Sequence, residues 1–240
     1  MNYEEDKPIS YCGIFGIYGS ETASAQAYYG LHALQHRGQE ASGIVTRSFN
    51  GDNRAHFNIV KGEGLVSEVF ADHNLLTDVL FGNSAIGHNR YSTTGSAKSR
   101  KNIQPFMVNY RMGNLAIGHN GNLTNAKELR EELVNEGAIF QTTSDTEVIL
   151  HLIARSKLDN QIDQIMEALK RIEGAYCLVI LTDDKLIAAR DPLGFRPLSL
   201  GRLEDAFLVA SETCAFDIQR AEFLREVEAG EMIVIDDESI

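Results

Sequence analysis

An α+β fold is predicted by two features of the sequence. Strand-like segments occupy both ends of the chain around a block of helices, without the strict alternation of a parallel α/β sheet. The hydrophobic period also changes with segment: Val148, Ile149, Leu152 and Ile153 share one helical face, whereas 177–181 is a short continuous apolar run. In chain order the reading begins with a strand over 13–18, a helix over 22–36, strands over 43–48 and 55–61, and a helical turn near 65–70. Strands over 85–91, 106–109 and 114–118 follow, then helices over 126–136, 146–155 and 162–172. The remainder is nearly all strand, at 176–181, 185–190, 198–200, 207–211 and 232–235. The 240 residues, 43% of them hydrophobic, suffice for one large domain or two small ones, and four prolines with no long Ser/Gly run mark no linker.

Composition removes several function classes. Lys plus Arg total 22 against 34 Asp plus Glu, a formal net charge of −12, and so acidic a surface repels phosphate backbones and anionic lipid. Nucleic acid and membrane are therefore not expected as partners, and no apolar run is long enough for a transmembrane helix. Residues 1–11 carry Glu4, Glu5, Asp6 and Lys7 with no apolar core, so they are not a secretory signal. Cys12, Cys177 and Cys214 lie far apart with no CxxC, which points to a reducing, cytoplasmic setting without a zinc or disulfide framework. His32 and His36 sit four apart on the expected helix, but without a nearby acidic partner they read as helix surface or core, and no metal site is expected.

Four places could carry chemistry, and each has a plain structural alternative. Cys12 opens a strand and could simply be a small buried hydrophobe. If the chain were cut after Tyr11, Cys12 would instead carry a free α-amine, whose pKa of about 7.7–8.0 suits it as general base for its own thiol. His119-Asn120-Gly121-Asn122 reads as a hairpin turn after the strand over 114–118. The Asn120 amide and the Gly121 N–H on such a turn could also converge as an oxyanion hole. Arg90, in Gly87-His88-Asn89-Arg90-Tyr91, is either a solvated strand-end residue or a guanidinium fork for a carboxylate. Asp145 falls inside Ser144-x-x-Glu147, a capping box that by itself accounts for an acid in the first helical turn.

Taken in order, Cys12-Gly13-Ile14-Phe15-Gly16, Gln35-His36-Arg37-Gly38-Gln39, Gly87-His88-Asn89-Arg90-Tyr91, His119 through Asn125 and Ser144-Asp145-Thr146-Glu147 resemble the N-terminal-nucleophile glutamine amidotransferases. The resemblance runs from Cys12 to about Glu231. The His-Arg-Gly-Gln form and the late run from Asp191 to Leu198 favour the branch that uses phosphoribosyl pyrophosphate in purine synthesis. It implies a four-layer αββα sandwich, with a propeptide over 1–11 removed by self-cleavage between Tyr11 and Cys12 and a glutaminase domain over 12–240. It further implies Cys12 as nucleophile, Asn120 and Gly121 as oxyanion donors, Arg90 for the glutamine carboxylate, Asp145 for its ammonium, and Arg37 shaping the site. A phosphoribosyltransferase domain is expected to be missing from this chain. The complete enzyme would be a homo-oligomer using Mg2+ and, in propeptide-bearing relatives, a 4Fe–4S cluster. Three cysteines, one of them the nucleophile, cannot complete such a cluster. An amino-sugar or amino-acid synthase of the same family, or a silent regulatory module, stand as alternatives.

Overall fold

Gly13–Tyr18 is buried at all six positions, so this strand has no solvent face and must lie inside a covered sheet. The structure, a computed structural model, describes residues 12–49, 51, 54–91 and 100–237. Its strands are β1 (Gly13–Tyr18), β2 (Ala41–Phe49), β3 (Ala55–Glu63), β4 (Ser84–Arg90), β5 (Phe106–Tyr110), β6 (Gly113–Leu123), β7 (Gly174–Thr182), β8 (Leu186–Arg190), β9 (Ser199–Leu203), β10 (Ala206–Ala210), β11 (Glu222–Glu226) and β12 (Met232–Ile235). The α-helices are α1 (Ala23–Ala33), α2 (Val66–Val69), α3 (Ala126–Asn135), α4 (Thr146–Arg155), α5 (Gln161–Leu169) and α6 (Cys214–Asp217).

Seven strands form one antiparallel sheet in the order β11-β9-β10-β1-β4-β2-β3, and five form a second in the order β12-β8-β7-β6-β5. Three cores hold the layers. Phe15, Ile17, Leu31, Leu34 and Phe216 pack α1 and α6 against the first sheet. Ile14, Val45, Ile86, Val179 and Leu186 fill the space between the sheets. Ile117, Leu129, Val148, Ile149, Ile165 and Leu178 pack α3, α4 and α5 against the second. The sandwich is thus α/β/β/α, the α+β class that the sequence predicts.

The structure departs from the expected elements where distant pairing overrides local pattern. The strand over 114–118 continues to Leu123 because β7 pairs with it throughout, from Leu115↔Thr182 to Leu123↔Gly174. Asn120 and Gly121 are therefore ladder residues opposite Cys177 and Tyr176, not a hairpin turn. The helix over 22–36 stops at Ala33 and tightens into a 3-10 turn over Gln35–Arg37. Gly38 then packs against the end of β4, where an added Cβ would lie 2.8 Å from the Arg90 carbonyl. The helix over 162–172 runs instead over Gln161–Leu169, started by Asn160, whose side chain accepts from Ile162 N at 2.8 Å and Asp163 N at 3.3 Å. β11 is exposed at every position and so offers no burial pattern to read.

Candidate active site

β1 lies between β4 and β10, and Gly13 is paired with Asn89. Cys12 therefore sits at the mouth of the central strand, beside the end of β4. Its Sγ is 4.0 Å from the Tyr91 carbonyl oxygen, and Arg37 Nε donates to the Cys12 carbonyl at 3.1 Å. Arg37 is itself buried and forms an ion pair with Glu212. Burial pushes the Cys12 thiol up, opposed by the Tyr91 carbonyl contact and the nearby charges of Arg90 and Arg37, while Asp145 adds to the rise. A thiol held in this way needs a base close by. Tyr11 and the expected propeptide lie outside the described residues.

β6 crosses β1 and β4 from the facing sheet. A Cβ built on Gly118 would lie 3.7 Å from the Ile14 side chain and 3.8 Å from the Gly87 carbonyl oxygen. One residue on, His88 Nε2 lies 3.1 Å from the His119 carbonyl oxygen. This contact carries Asn120 and Gly121 to the end of the sandwich where Cys12 lies. Asn120 is fully buried, yet neither its Nδ2 nor its Oδ1 has a hydrogen-bond partner among the described residues. Native proteins rarely bury an amide unpaired, because it costs roughly 1–3 kcal/mol. Gly121 has φ +154, and a Cβ there would stand 2.0 Å from the Ala175 carbonyl oxygen, so the position accepts only glycine.

Asp145 precedes α4, and its role differs from the expected capping box. Its side chain makes no cap bond; its Oδ2 accepts from Leu123 N at 2.9 Å, at the end of β6. Glu147 turns away from Ser144 and accepts from Gln141 N at 2.7 Å and Thr142 N at 2.8 Å. The acid is thus tied to the strand that carries Asn120. Burial raises its carboxyl, but His119, 3.6 Å away, and the Leu123 and Thr146 N–H groups outweigh burial and hold it below the usual carboxylate range. His119 is fixed in turn: its Nδ1 lies 3.0 Å from Thr146 Oγ1, and its N–H donates at 2.8 Å to Gln104, whose amide reaches Thr146 Oγ1 at 3.2 Å.

A half-buried cysteine, an unpaired buried amide with glycine next to it, an arginine and an aspartate held below the usual carboxylate range stand at one end of two facing sheets. The family described as "Glutamine amidotransferase domain" matches residues 88–217, more than half of the chain. The chain belongs to the glutamine amidotransferase family. Amidophosphoribosyltransferase 2 (chloroplastic) of Arabidopsis thaliana is 50% identical over 98% of this chain and 41% of its own length. The amidophosphoribosyltransferase of Bacillus subtilis is 50% identical over 95% of this chain and 47% of its own. The solved structure of the B. subtilis glutamine phosphoribosylpyrophosphate amidotransferase, complexed with ADP and GMP, superposes with a TM-score of 0.87 at 49% identity, over 95% of this chain and 48% of that one. The αββα sandwich of this amidotransferase domain is of the N-terminal-nucleophile type. The chain spans less than half the length of the curated relatives it matches.

Within the amidotransferase domain, Cys12, Arg37, Arg90 and Asp145 share one electrostatic neighbourhood. Sequence reasoning missed Glu212, which holds Arg37, and the Gln104–His119–Thr146 network behind Asp145. The three cysteines occupy separate surroundings. Cys177 is buried opposite Asn120, with its sulfur 3.4 Å from the Arg196 carbonyl oxygen, and Cys214 lies at α6. They do not fit a 4Fe–4S cluster within this chain. No helix among the described residues is long and apolar enough to cross a membrane.

Proposed function

We propose that this domain hydrolyses glutamine through Cys12 and that the whole protein is an amidophosphoribosyltransferase. After cleavage between Tyr11 and Cys12, the α-amine takes the thiol proton and the thiolate attacks the side-chain amide carbon of glutamine. The carbonyl oxygen becomes an anion held by the Asn120 amide and the Gly121 N–H. The ammonium proton returns to the leaving nitrogen, ammonia departs, and water hydrolyses the thioester to glutamate. Arg90 grips the α-carboxylate as a planar fork, Asp145 pairs with the α-ammonium, and Arg37 fixes the Cys12 carbonyl. The observation that carries this reading is the Asn120 amide, buried without a partner beside the nucleophile's strand. In the whole protein a phosphoribosyltransferase half, with Mg2+, would take the ammonia and convert phosphoribosyl pyrophosphate to phosphoribosylamine in a cytoplasmic homo-oligomer. The likeness to named amidophosphoribosyltransferases supports that part.

The test joins an intact-mass measurement to a glutaminase assay. Active protein should begin at Cys12, and Cys12→Ser should release no ammonia. Full turnover in protein that retains residues 1–11 would overturn the amine-as-base mechanism.

A further inference from the structure

The nearest acid to His36 in sequence is Glu40, but the fold brings Glu212 against it from 176 residues away. His36 Nε2 lies 2.8 Å from Glu212 Oε2, and Cys214 Sγ lies 3.8 Å from the same oxygen. All three donor atoms fall within 4.8 Å of one another. Tetrahedral zinc, with bonds of about 2.0–2.3 Å, spaces its ligands about 3.3–3.8 Å apart, so small side-chain adjustments would close the set around one ion. Thiolate, imidazole and carboxylate together suit zinc better than magnesium or calcium.

Two further features point to a cation here. His36 Nδ1 lies 3.1 Å from the Ala33 carbonyl oxygen at the end of α1. That is the outer contact that orients a metal-binding histidine with its Nε2 lone pair outward. Both ring nitrogens thus face oxygens that only accept, Ala33 O and Glu212 Oε2. The Ala33 carbonyl also lies 3.7 Å from Cys214 Sγ, which adds the negative end of an eleven-residue helix. The cluster opens to water, with the His36 side chain 55% and Glu212 35% exposed.

We propose that His36, Glu212 and Cys214 form a zinc site whose occupancy slows the nucleophile. Glu212 presents one oxygen to His36 and the other to Arg37, and Arg37 Nε holds the Cys12 carbonyl. Zinc drawing on the first oxygen weakens the hold of the second on Arg37 and releases the backbone that aims Cys12. Binding displaces the thiol proton of Cys214. Site occupancy stands apart from the glutaminase reading; only the slowing of Cys12 rests on it.

The experiment titrates Co2+ into the full chain carrying Cys12→Ala, so that the nucleophile cannot chelate. One equivalent should bind with a thiolate-to-cobalt charge-transfer band, displaced by Zn2+. Cys214→Ser on that background should abolish the band, and the exposed-site variant His36→Gln should weaken binding at least tenfold, the lower bound of about 10–100-fold seen even for supporting residues. A band that survives Cys214→Ser, or no binding at one equivalent, overturns the site. In processed protein, Zn2+ should inhibit glutaminase turnover, and Cys214→Ser should relieve inhibition while keeping the basal rate. Binding without relief overturns the coupling to Cys12. Absence of any glutaminase activity overturns the coupling and the proposed function, while the cobalt result still decides the site.

Discussion

Replacing Asn120 by alanine should separate stability from turnover. In the folded protein its amide is fully buried and makes no hydrogen bond among the described residues. Truncation therefore breaks no native bond and removes a desolvation cost of about 1–3 kcal/mol. Against this stands a void of a few heavy atoms, worth on the order of 1 kcal/mol. The two nearly offset, so denaturant melts should place Asn120→Ala within about 2 kcal/mol of the parent. Catalysis behaves differently, because the donor meets charge that exists only in the transition state. Loss of one such donor costs about 10²–10³ in kcat, or roughly 2.7–4 kcal/mol of barrier. Steady-state glutaminase kinetics with parallel urea melts provide the assay. A raised KM with unchanged kcat would refute the oxyanion role. So would a stability loss above about 3 kcal/mol, which would make the amide a structural group.

Three further outcomes follow from the geometry. Asp145→Asn keeps an acceptor for Leu123 N, so thermal melts should change little, by about 1 kcal/mol or less, while the KM for glutamine rises many-fold; a destabilised variant with normal KM would reduce Asp145 to a structural tie. Gly121→Ala forces a Cβ against the Ala175 carbonyl and should destabilise the domain by at least about 2 kcal/mol, and an unchanged melting temperature would contradict the strand geometry. Burial depresses His88 from 6.5 to about 3 in the folded state, so the unfolded chain takes up the proton first and stability falls as pH drops through that window. The loss should reach about 2 kcal/mol by about pH 5, and urea midpoints of His88→Gln should show a shallower acid slope; equal slopes would exclude His88.

Local signals made some of the site legible and misled on the rest. The places of Cys12 and Arg90 at strand ends were readable, marked by glycine and apolar runs, while their roles remain proposals. Asn120-Gly121 carries a strong turn signal, but β7, more than fifty residues later, captures it into a ladder. Asp145 sits in a capping-box sequence, yet its carboxylate bonds Leu123, twenty-two residues earlier, so a four-residue window misassigns it. Glu212 lies 175 residues from Arg37, and no sequence spacing announces such a pair. The layer order was legible only through resemblance, since alternation and period identify elements without saying which sheets stack.

β1, which follows Cys12, is the first strand of the described sandwich and among the last completed. One of its edges pairs with β4, but the other waits for β10 at Ala206–Ala210, and Arg37 waits for Glu212. A ribosome-bound chain shorter than this holds β1 with an open edge and Cys12 without its anchored arginine. Translation therefore imposes an order of events. The geometry around Cys12 closes only after the last third of the domain has left the exit tunnel. Such long-range closure also makes folding slow compared with local structure formation. The domain thus carries its own timer: the surroundings of Cys12 are complete only once its late strands have joined.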